Sequence, residues 1–183
     1  APAQPPAVGV RVIRVVQPGR AIQVNGTTEP RTLITIVRYP ATGPLGAVDL
    51  RNAPFARPVA RLPLIVFGHG FAVTPAPYSR LLVAWARAGY VVAAPVFPLE
   101  NANAPGGPQE SDLVNQPHDM SAVISTLLAA ASAGRSVFAG MIDPQRIAVA
   151  GQSDGGDTAL ATAFDPAVRD SRVKAAVILS GAE

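Results

Sequence analysis

The sequence predicts an α/β fold in which a mostly parallel sheet carries helices on both of its faces. From residue 62 onward, short apolar runs alternate with segments whose apolar residues recur at helical spacing. This alternation is typical of parallel strands joined by right-handed helical crossovers. Apolar residues make up 49% of the 183 residues and aromatic residues only 5%, so alanine and valine are expected to fill the interior. A chain of this length is expected to form a single domain over residues 1–183.

Two strands are predicted before this alternating region. Residues 8–16 and 31–40 are rich in β-branched side chains, which favour strands. The pairs Pro18-Gly19 and Asn25-Gly26 lie between them and predict turns. The proline-rich residues 1–7 are expected to form a loose tip.

The alternating region is predicted to hold four strands and three helices. Continuous apolar runs predict strands that are buried on both faces, and apolar residues three and four positions apart predict helices. In chain order we expect a strand at 62–67, a helix at 77–88, a strand at 90–95, a helix at 117–131, a strand at 147–150, a helix at 158–163 and a strand at 173–180.

A short motif in the last part of this region points to chemistry. Gly151-Gln152-Ser153-Asp154-Gly155 fits G-x-S-x-G and lies between a predicted strand and a predicted helix, which is the context of a nucleophile elbow. The two glycines leave room for a sharp turn that exposes the Ser153 hydroxyl, and the helix N-terminus favours negative charge beside it. A glycine- and serine-rich turn without chemistry is the alternative, and the flanking strand and helix favour the nucleophile.

Composition and charge argue against several other classes of protein. The net charge is only +3 and the sequence has no basic run, so nucleic-acid binding is poorly supported. No apolar stretch is long enough to span a membrane. Cysteine is absent and no spacing typical of a metal or dinucleotide site occurs, so we expect no metal and no organic cofactor. The chain starts at Ala1 without methionine, which favours a processed protein that is secreted or held in the cell envelope.

Several segments of the sequence resemble one family in the same order along the chain. They are residues 31–41 (RTLITIVRYPA), 66–71 (VFGHGF), 88–95 (AGYVVAAP), 143–156 (DPQRIAVAGQSDGG) and 172–180 (RVKAAVILS). The sequence is similar to the α/β-hydrolases grouped with chlorophyllase, platelet-activating-factor acetylhydrolase and dienelactone hydrolase. Each motif is ordinary alone, whereas the ordered set is specific for the fold. The resemblance therefore implies an α/β-hydrolase fold.

The resemblance also implies ester hydrolysis through an acyl-enzyme, with Ser153 as the nucleophile. The backbone N–H groups of Phe71 and Asp154 would then hold the oxyanion. Substrate-binding residues are predicted around this site: His69, Gly70, Ala72 and Phe97. Substrate selection is expected to fall to Phe71, Ala72, Val73, Phe97 and the loop 99–107. These residues are mostly apolar, which suits a small-molecule or lipid ester with short acyl chains, or a polyester.

The family's catalytic acid and histidine follow the strand predicted at 173–180, and residues 1–183 include neither position. The two histidines present are His69 and His118. The first is expected to be structural in the oxyanion loop and the second to be a helix-end residue, with a minor chance for each to act as base. Glu183 lies just past the last strand and is a candidate for lining the site. Three further acidic residues are expected to be solvated charges: Glu110, Asp112 and Asp119.

A strand at 173–180 that is apolar on both faces would form an uncovered edge, which natural proteins avoid. We therefore expect a second polypeptide, the C-terminal fragment of the same precursor, to supply the last strands, the acid and the histidine. Two alternatives stay open: a non-catalytic hydrolase-like module that binds a ligand or a partner, and a peptidase on the same scaffold. The missing acid and histidine keep the first alternative open, and the elbow is compatible with the second.

Overall fold

The structure is a computed structural model that describes residues 5–56 and 60–181. Most of the tip predicted at 1–7 and the candidate Glu183 lie outside these residues. Ala7, the last residue of the predicted tip, is buried and begins the first strand. The loose tip therefore does not extend to this residue.

Strands and helices alternate along the described part of the chain. The strands are β1 (Ala7–Val24), β2 (Thr27–Ala41), β3 (Leu50–Arg51), β4 (Leu62–Gly68), β5 (Val91–Val96), β6 (Ile142–Gln152) and β7 (Val173–Leu179). The helices are α1 (Ser79–Arg87), α2 (Gln116–Ser132) and α3 (Asp154–Phe164), and 3₁₀ helices at Ala76–Tyr78 and Glu110–Asn115 precede α1 and α2. The predicted strands and helices are confirmed, most with longer bounds, and β3 is an additional strand. Among the described residues, no helix has the length and apolar character that a membrane crossing requires.

Within the described residues the strands form one sheet in the order β3-β1-β2-β5-β4-β6-β7. The strands β5, β4, β6 and β7 are parallel neighbours, whereas β2 runs antiparallel to both β1 and β5. The mostly parallel α/β sheet that the sequence predicts is confirmed. Because β6 lies between β4 and β7, its carboxyl end meets theirs at one edge of the sheet, where folds of this class place their sites.

Alternate residues of the central strands face opposite sides of the sheet, and helices cover both sides. Leu64 of β4 packs in one core with Ile124 of α2. The next residue, Ile65, packs in a second core with Leu82 of α1. This arrangement explains why the central strands read as continuous apolar runs, and it confirms the prediction of helices on both faces.

The long hairpin of β1 and β2 contains one predicted turn and lacks the other. Asn25 and Gly26 both have positive φ, 51° and 80°, as a two-residue type I′ turn requires. The pair Pro18-Gly19 lies inside β1, where the pairing with β2 shifts register between Gln17 and Ala21. Such a bulge accommodates proline because its extra residues need no ladder hydrogen bond. The prediction of a turn at Pro18-Gly19 is therefore wrong.

A buried cluster of charges joins this hairpin to α2. The guanidinium of Arg31, which is 2% exposed, pairs with Asp112 at 2.7 Å and with Asp119 at 2.6 Å. Asp119 also pairs with Arg20 at 2.7 Å. Asp112 and Asp119 are buried, so the prediction that they are solvated is wrong, whereas Glu110 is exposed as expected. The burial is tolerated because each carboxylate faces a cation.

β7 pairs only with β6 among the described residues and forms one edge of the sheet. Val177 is 43% exposed and Ile178 36%. Because neighbouring residues of a strand point to opposite faces, apolar side chains lie uncovered on both faces of β7. The apolar edge that the sequence predicts is present.

The buried cluster predicts a large loss of stability when one of its charges is removed. Asp119→Asn takes a charged partner from both Arg31 and Arg20, so we expect the free energy of unfolding to fall by about 3 kcal/mol. Denaturant unfolding followed by circular dichroism measures this change. The control is Asp143→Asn, which removes an exposed ion pair with Arg146 and should leave the unfolding midpoint unchanged. Equal effects of the two substitutions would contradict this account.

Candidate active site

Ser153 occupies the apex of a tight turn between β6 and α3. Its backbone dihedrals are φ 53° and ψ −128°, in a region that costs a non-glycine residue roughly 1–3 kcal/mol. Hydrogen bonds on both sides hold it there. The Ser153 N–H donates to the carbonyl of Leu179 at 3.0 Å, and its carbonyl accepts from the Gly156 N–H at 2.6 Å. The strained apex that the sequence predicts at Ser153 is therefore present.

Glycines permit this turn because other backbone atoms fill the space that a side chain would need. A Cβ on Gly151 would lie 1.8 Å from the carbonyl oxygen of Gly155. A Cβ on Gly155 would lie 2.1 Å from the carbonyl oxygen of Gly68, at the end of β4. The start of α3 is thus locked against the ends of β6 and β4, and the predicted reason for the two glycines of the motif is confirmed.

The loop that follows β4 lies directly beside the turn. A Cβ on Gly70 would lie 3.3 Å from the Cβ of Ser153, so the backbone of the loop reaches the serine. The Gly70 N–H donates to the hydroxyl of Tyr78 at 3.2 Å, and that hydroxyl donates to the side-chain oxygen of Gln152 at 2.6 Å. Tyr78 therefore ties the loop to the elbow, a role that its place in a predicted helix did not suggest.

Two backbone N–H groups at this junction are the predicted oxyanion donors. Phe71 follows Gly70 in the loop, and Asp154 is the first residue of α3. Neither N–H donates a hydrogen bond to another described residue. Both are therefore available to an acceptor beside Ser153, and the N-terminus of α3 adds its partial positive charge at Asp154.

His69 holds the loop in place and does not face the serine as a base. Its Nδ1 lies 2.8 Å from the carbonyl oxygen of Gly70 and must carry the proton of that hydrogen bond. Its Nε2 then accepts from the Phe97 N–H at 3.0 Å. Burial lowers the pKa of His69, and the hydrogen bond to Gly70 opposes this shift only in part. The expected structural role of His69 is confirmed, since a neutral ring with both nitrogens occupied cannot accept a proton from Ser153.

The predicted substrate-binding set needs one correction. His69, Gly70 and Phe97 are all buried, and the completely buried side chains of His69 and Phe97 cannot touch a substrate in the described structure. Phe71 is 40% exposed and Ala72 is partly exposed, which leaves them as apolar side chains beside the site. His118 is exposed in the first turn of α2, as expected for a helix-end residue.

A buried carboxyl group that the sequence motifs do not indicate lies beside the elbow. Glu100 is completely buried, and its carboxylate accepts a hydrogen bond from the side-chain amide of Gln116. Burial raises the pKa of Glu100 to about 8. The hydrogen bond from Gln116 opposes this shift, and the nearby carboxyl groups of Asp154 and Asp112 add to it. Its position in an apolar stretch after β5 is the one sequence feature that indicates burial. The sequence does not show its partners, because they lie on other elements.

The sequence from the segment between β3 and β4 to the end of β7 matches one protein family. The model of that family, described as chlorophyllase, matches residues 55–180, which is more than half of the chain. The chain belongs to the chlorophyllase family. The matched residues include the loop after β4 and the elbow at Ser153, so the chlorophyllase assignment covers the elements that form this site.

Solved structures confirm the α/β-hydrolase fold of this chlorophyllase-family chain. The match to the ferulic acid esterase from Streptomyces cinnamoneus has a TM-score of 0.76 and 24% identity and covers 99% of this chain. The match to the hypothetical protein PA2218 from Pseudomonas aeruginosa has a TM-score of 0.57 and 21% identity and covers 91% of this chain. The chain spans 61% of the length of the esterase and 41% of that of PA2218. A search of curated proteins found no significant match.

The strain at Ser153 predicts an unusual effect of glycine at this position. Glycine adopts positive φ without a steric cost, whereas alanine keeps the strain. We expect Ser153→Gly to exceed Ser153→Ala in free energy of unfolding by about 1 kcal/mol, as measured by denaturant titration.

Ser171 offers a matched control for this comparison. It is exposed and is absent from the positive-φ residues, so Ser171→Gly should be less stable than Ser171→Ala. The same order at both positions, with alanine the more stable, would show that the apex at Ser153 is not strained.

Proposed function

We propose that this chlorophyllase-family chain is the nucleophile-bearing part of a serine hydrolase that cleaves carboxylic esters. The observation that carries the proposal is the arrangement around Ser153. A strained serine lies at the apex of an elbow, beside two backbone N–H groups that have no partner among the described residues. A purely structural turn has no use for such strain, which persists where function requires it.

In the proposed reaction the Ser153 Oγ attacks the carbonyl carbon of an ester and gives its proton to a histidine base. The carbonyl oxygen becomes an oxyanion held by the N–H groups of Phe71 and Asp154, and each such donor is worth about 3 kcal/mol. Collapse of this intermediate breaks the bond to the alkoxy oxygen and returns the proton to the leaving alcohol. Water then releases the acyl group from Ser153 by the same steps.

The histidine base and its acid partner are proposed to come from a further polypeptide segment, the C-terminal fragment of the same precursor. Of the two histidines in the chain, His69 uses both ring nitrogens in backbone hydrogen bonds, and His118 lies exposed at the start of α2. The chain spans 61% of the esterase it resembles in fold. The apolar edge of β7 offers a surface on which another strand would pair.

The proposed substrate is an ester with an apolar acyl group. Phe71 and Ala72 present partly exposed apolar surface next to the serine, and this surface suits a hydrocarbon chain or an aromatic ring. The fold neighbour named as a ferulic acid esterase makes esters of aromatic acids suitable first substrates to assay. A secreted or cell-envelope location remains a prediction.

The alternative function is a non-catalytic module that binds a ligand beside the elbow. The observation that favours it is that no described histidine is placed to act as a base for Ser153. A peptidase on the same scaffold would use the same nucleophile. Covalent labelling and substrate choice separate these three functions.

Labelling with a fluorophosphonate tests the proposal. We expect intact-mass spectrometry of the native preparation, in which the proposed C-terminal fragment stays bound, to show one probe per chain, attached to Ser153, because only an activated serine attacks the phosphorus atom. Ser153→Ala should abolish labelling and ester turnover. The control Ser171→Ala, at an exposed serine, should label like the parent.

The other outcomes of this experiment decide between the alternatives. Labelling that persists in Ser153→Ala would refute the assigned nucleophile. An unlabelled parent would favour the binding module. A parent that labels and cleaves amide reporters in preference to esters would favour the peptidase. A second mass in the preparation would identify the fragment proposed to carry the histidine.

A further inference from the structure

Glu100 connects the two halves of the predicted oxyanion site. Its backbone carbonyl accepts a hydrogen bond at 3.1 Å from the N–H of Ala72, the residue that follows Phe71. Its carboxyl group interacts with the carboxyl group of Asp154, which helps to raise the pKa of Glu100. One residue therefore interacts with the immediate neighbour of the first donor and with the side chain of the residue that carries the second.

The side chain of Glu100 is held in one orientation by a relay of neutral groups. The Thr158 hydroxyl of α3 donates to the side-chain oxygen of Gln116 at 2.6 Å. The oxygen of this amide is thereby used, so its nitrogen faces Glu100 and donates to Oε2. The relay leaves the other carboxyl oxygen, Oε1, directed to a different partner.

Two buried oxygen atoms at this contact have no donor. Glu100 Oε1 and Asp154 Oδ2 are both inaccessible to solvent, and no donor among the described residues reaches either of them. The charged groups that act on Glu100 are Asp154 of α3 and Asp112 of the 3₁₀ helix Glu110–Asn115, both acidic. Two interacting carboxyl groups whose oxygens are shielded from water cannot both stay ionised. One proton placed between the two atoms gives each of them a hydrogen bond.

We propose that Glu100 is a positioning residue that remains protonated and donates a hydrogen bond to Asp154, so that a shared proton clamps the loop of Phe71 to the start of α3. This inference rests on the proposed function, because the clamp aligns the two N–H groups that would hold the oxyanion. Loss of the proton places two negative charges in contact, which separates the halves of the site and repels the oxyanion.

The shared proton is tested first by stability, which needs no catalysis. Between the ordinary pKa of a glutamate, 4.5, and about 8, the folded protein keeps a proton that the unfolded chain releases. Across this window, the folding equilibrium constant of the parent should therefore fall relative to that of Glu100→Gln by up to about tenfold per pH unit. Above the window, the ratio of the two constants should stay unchanged. Denaturant titrations of both proteins from pH 5 to pH 9 measure the ratio.

Asp154→Asn gives a second check on the same proton. The new amide donates to Glu100 and removes the negative charge of Asp154, whereas the burial of Glu100 remains, so the folding equilibrium of this variant should lose part of the pH dependence of the parent. If the ratio of the folding equilibrium constants of the parent and Glu100→Gln does not change between pH 5 and pH 8, Glu100 is ionised in the folded protein. This result would overturn the proposal.

The positioning role is tested by ester turnover in the native preparation, which retains the segment proposed to supply the histidine. Glu100→Ala removes the clamp, and we expect kcat to fall by about tenfold to a hundredfold with little change in KM, because the donors act mainly in the transition state. Glu100→Gln can accept from Gln116 and donate to Asp154, so it should restore most of the activity. The parent should lose activity as the pH rises through about 8, and Glu100→Gln should not lose it there.

The stability measurements and the activity measurements can contradict the proposals independently of each other. A parent that neither labels nor turns over refutes the proposed hydrolase, while the stability ratio still reports the shared proton. A Glu100→Gln variant that is as inactive as Glu100→Ala, or that keeps the alkaline loss of the parent, overturns the positioning role. If Glu100→Ala does not fold, the pH profile of Glu100→Gln decides the question.

Discussion

The site depends on the close approach of three backbones, those of β4, β6 and α3. A Cβ on Gly151 would lie 1.8 Å from the carbonyl oxygen of Gly155, and a Cβ on Gly155 would lie 2.1 Å from the carbonyl oxygen of Gly68. The approach bends the chain so sharply that Ser153 is forced to positive φ, and it brings the loop after β4 against the serine. The packing of the sheet thereby holds Ser153 in an unfavourable backbone conformation at the point where the proposed chemistry occurs.

The segment that begins α2 joins this site to the rest of the molecule through buried polar groups. Asp112 and Asp119 pair with Arg31 of the hairpin, and Gln116 between them bonds to Glu100 beside the elbow. The protein therefore buries carboxyl groups in two ways. A cation neutralises the first two, whereas a proton is proposed to neutralise Glu100. Neutralisation by a proton is sensitive to pH because the proton can dissociate.

Local features of the sequence were enough for most of the fold and for the elbow. Continuous apolar runs and a G-x-S-x-G motif depend on neighbours along the chain, so the strands, the helices and the apex at Ser153 were predictable. Buried charges are different, because Arg31 and Asp119 are far apart in sequence and each reads as solvated when taken alone. Glu100 was missed for the same reason. The turn at Pro18-Gly19 was wrongly predicted because local propensity cannot show that the strand pairing continues beyond a bulge.

The central claim is that Ser153 and the two backbone N–H groups form one reaction site. A crystal structure of the fluorophosphonate adduct tests this claim most directly. We expect phosphorus bonded to the Ser153 Oγ, with the phosphoryl oxygen about 3 Å from the backbone nitrogens of both Phe71 and Asp154. An adduct on another residue, or a phosphoryl oxygen directed away from these two nitrogens, would contradict it.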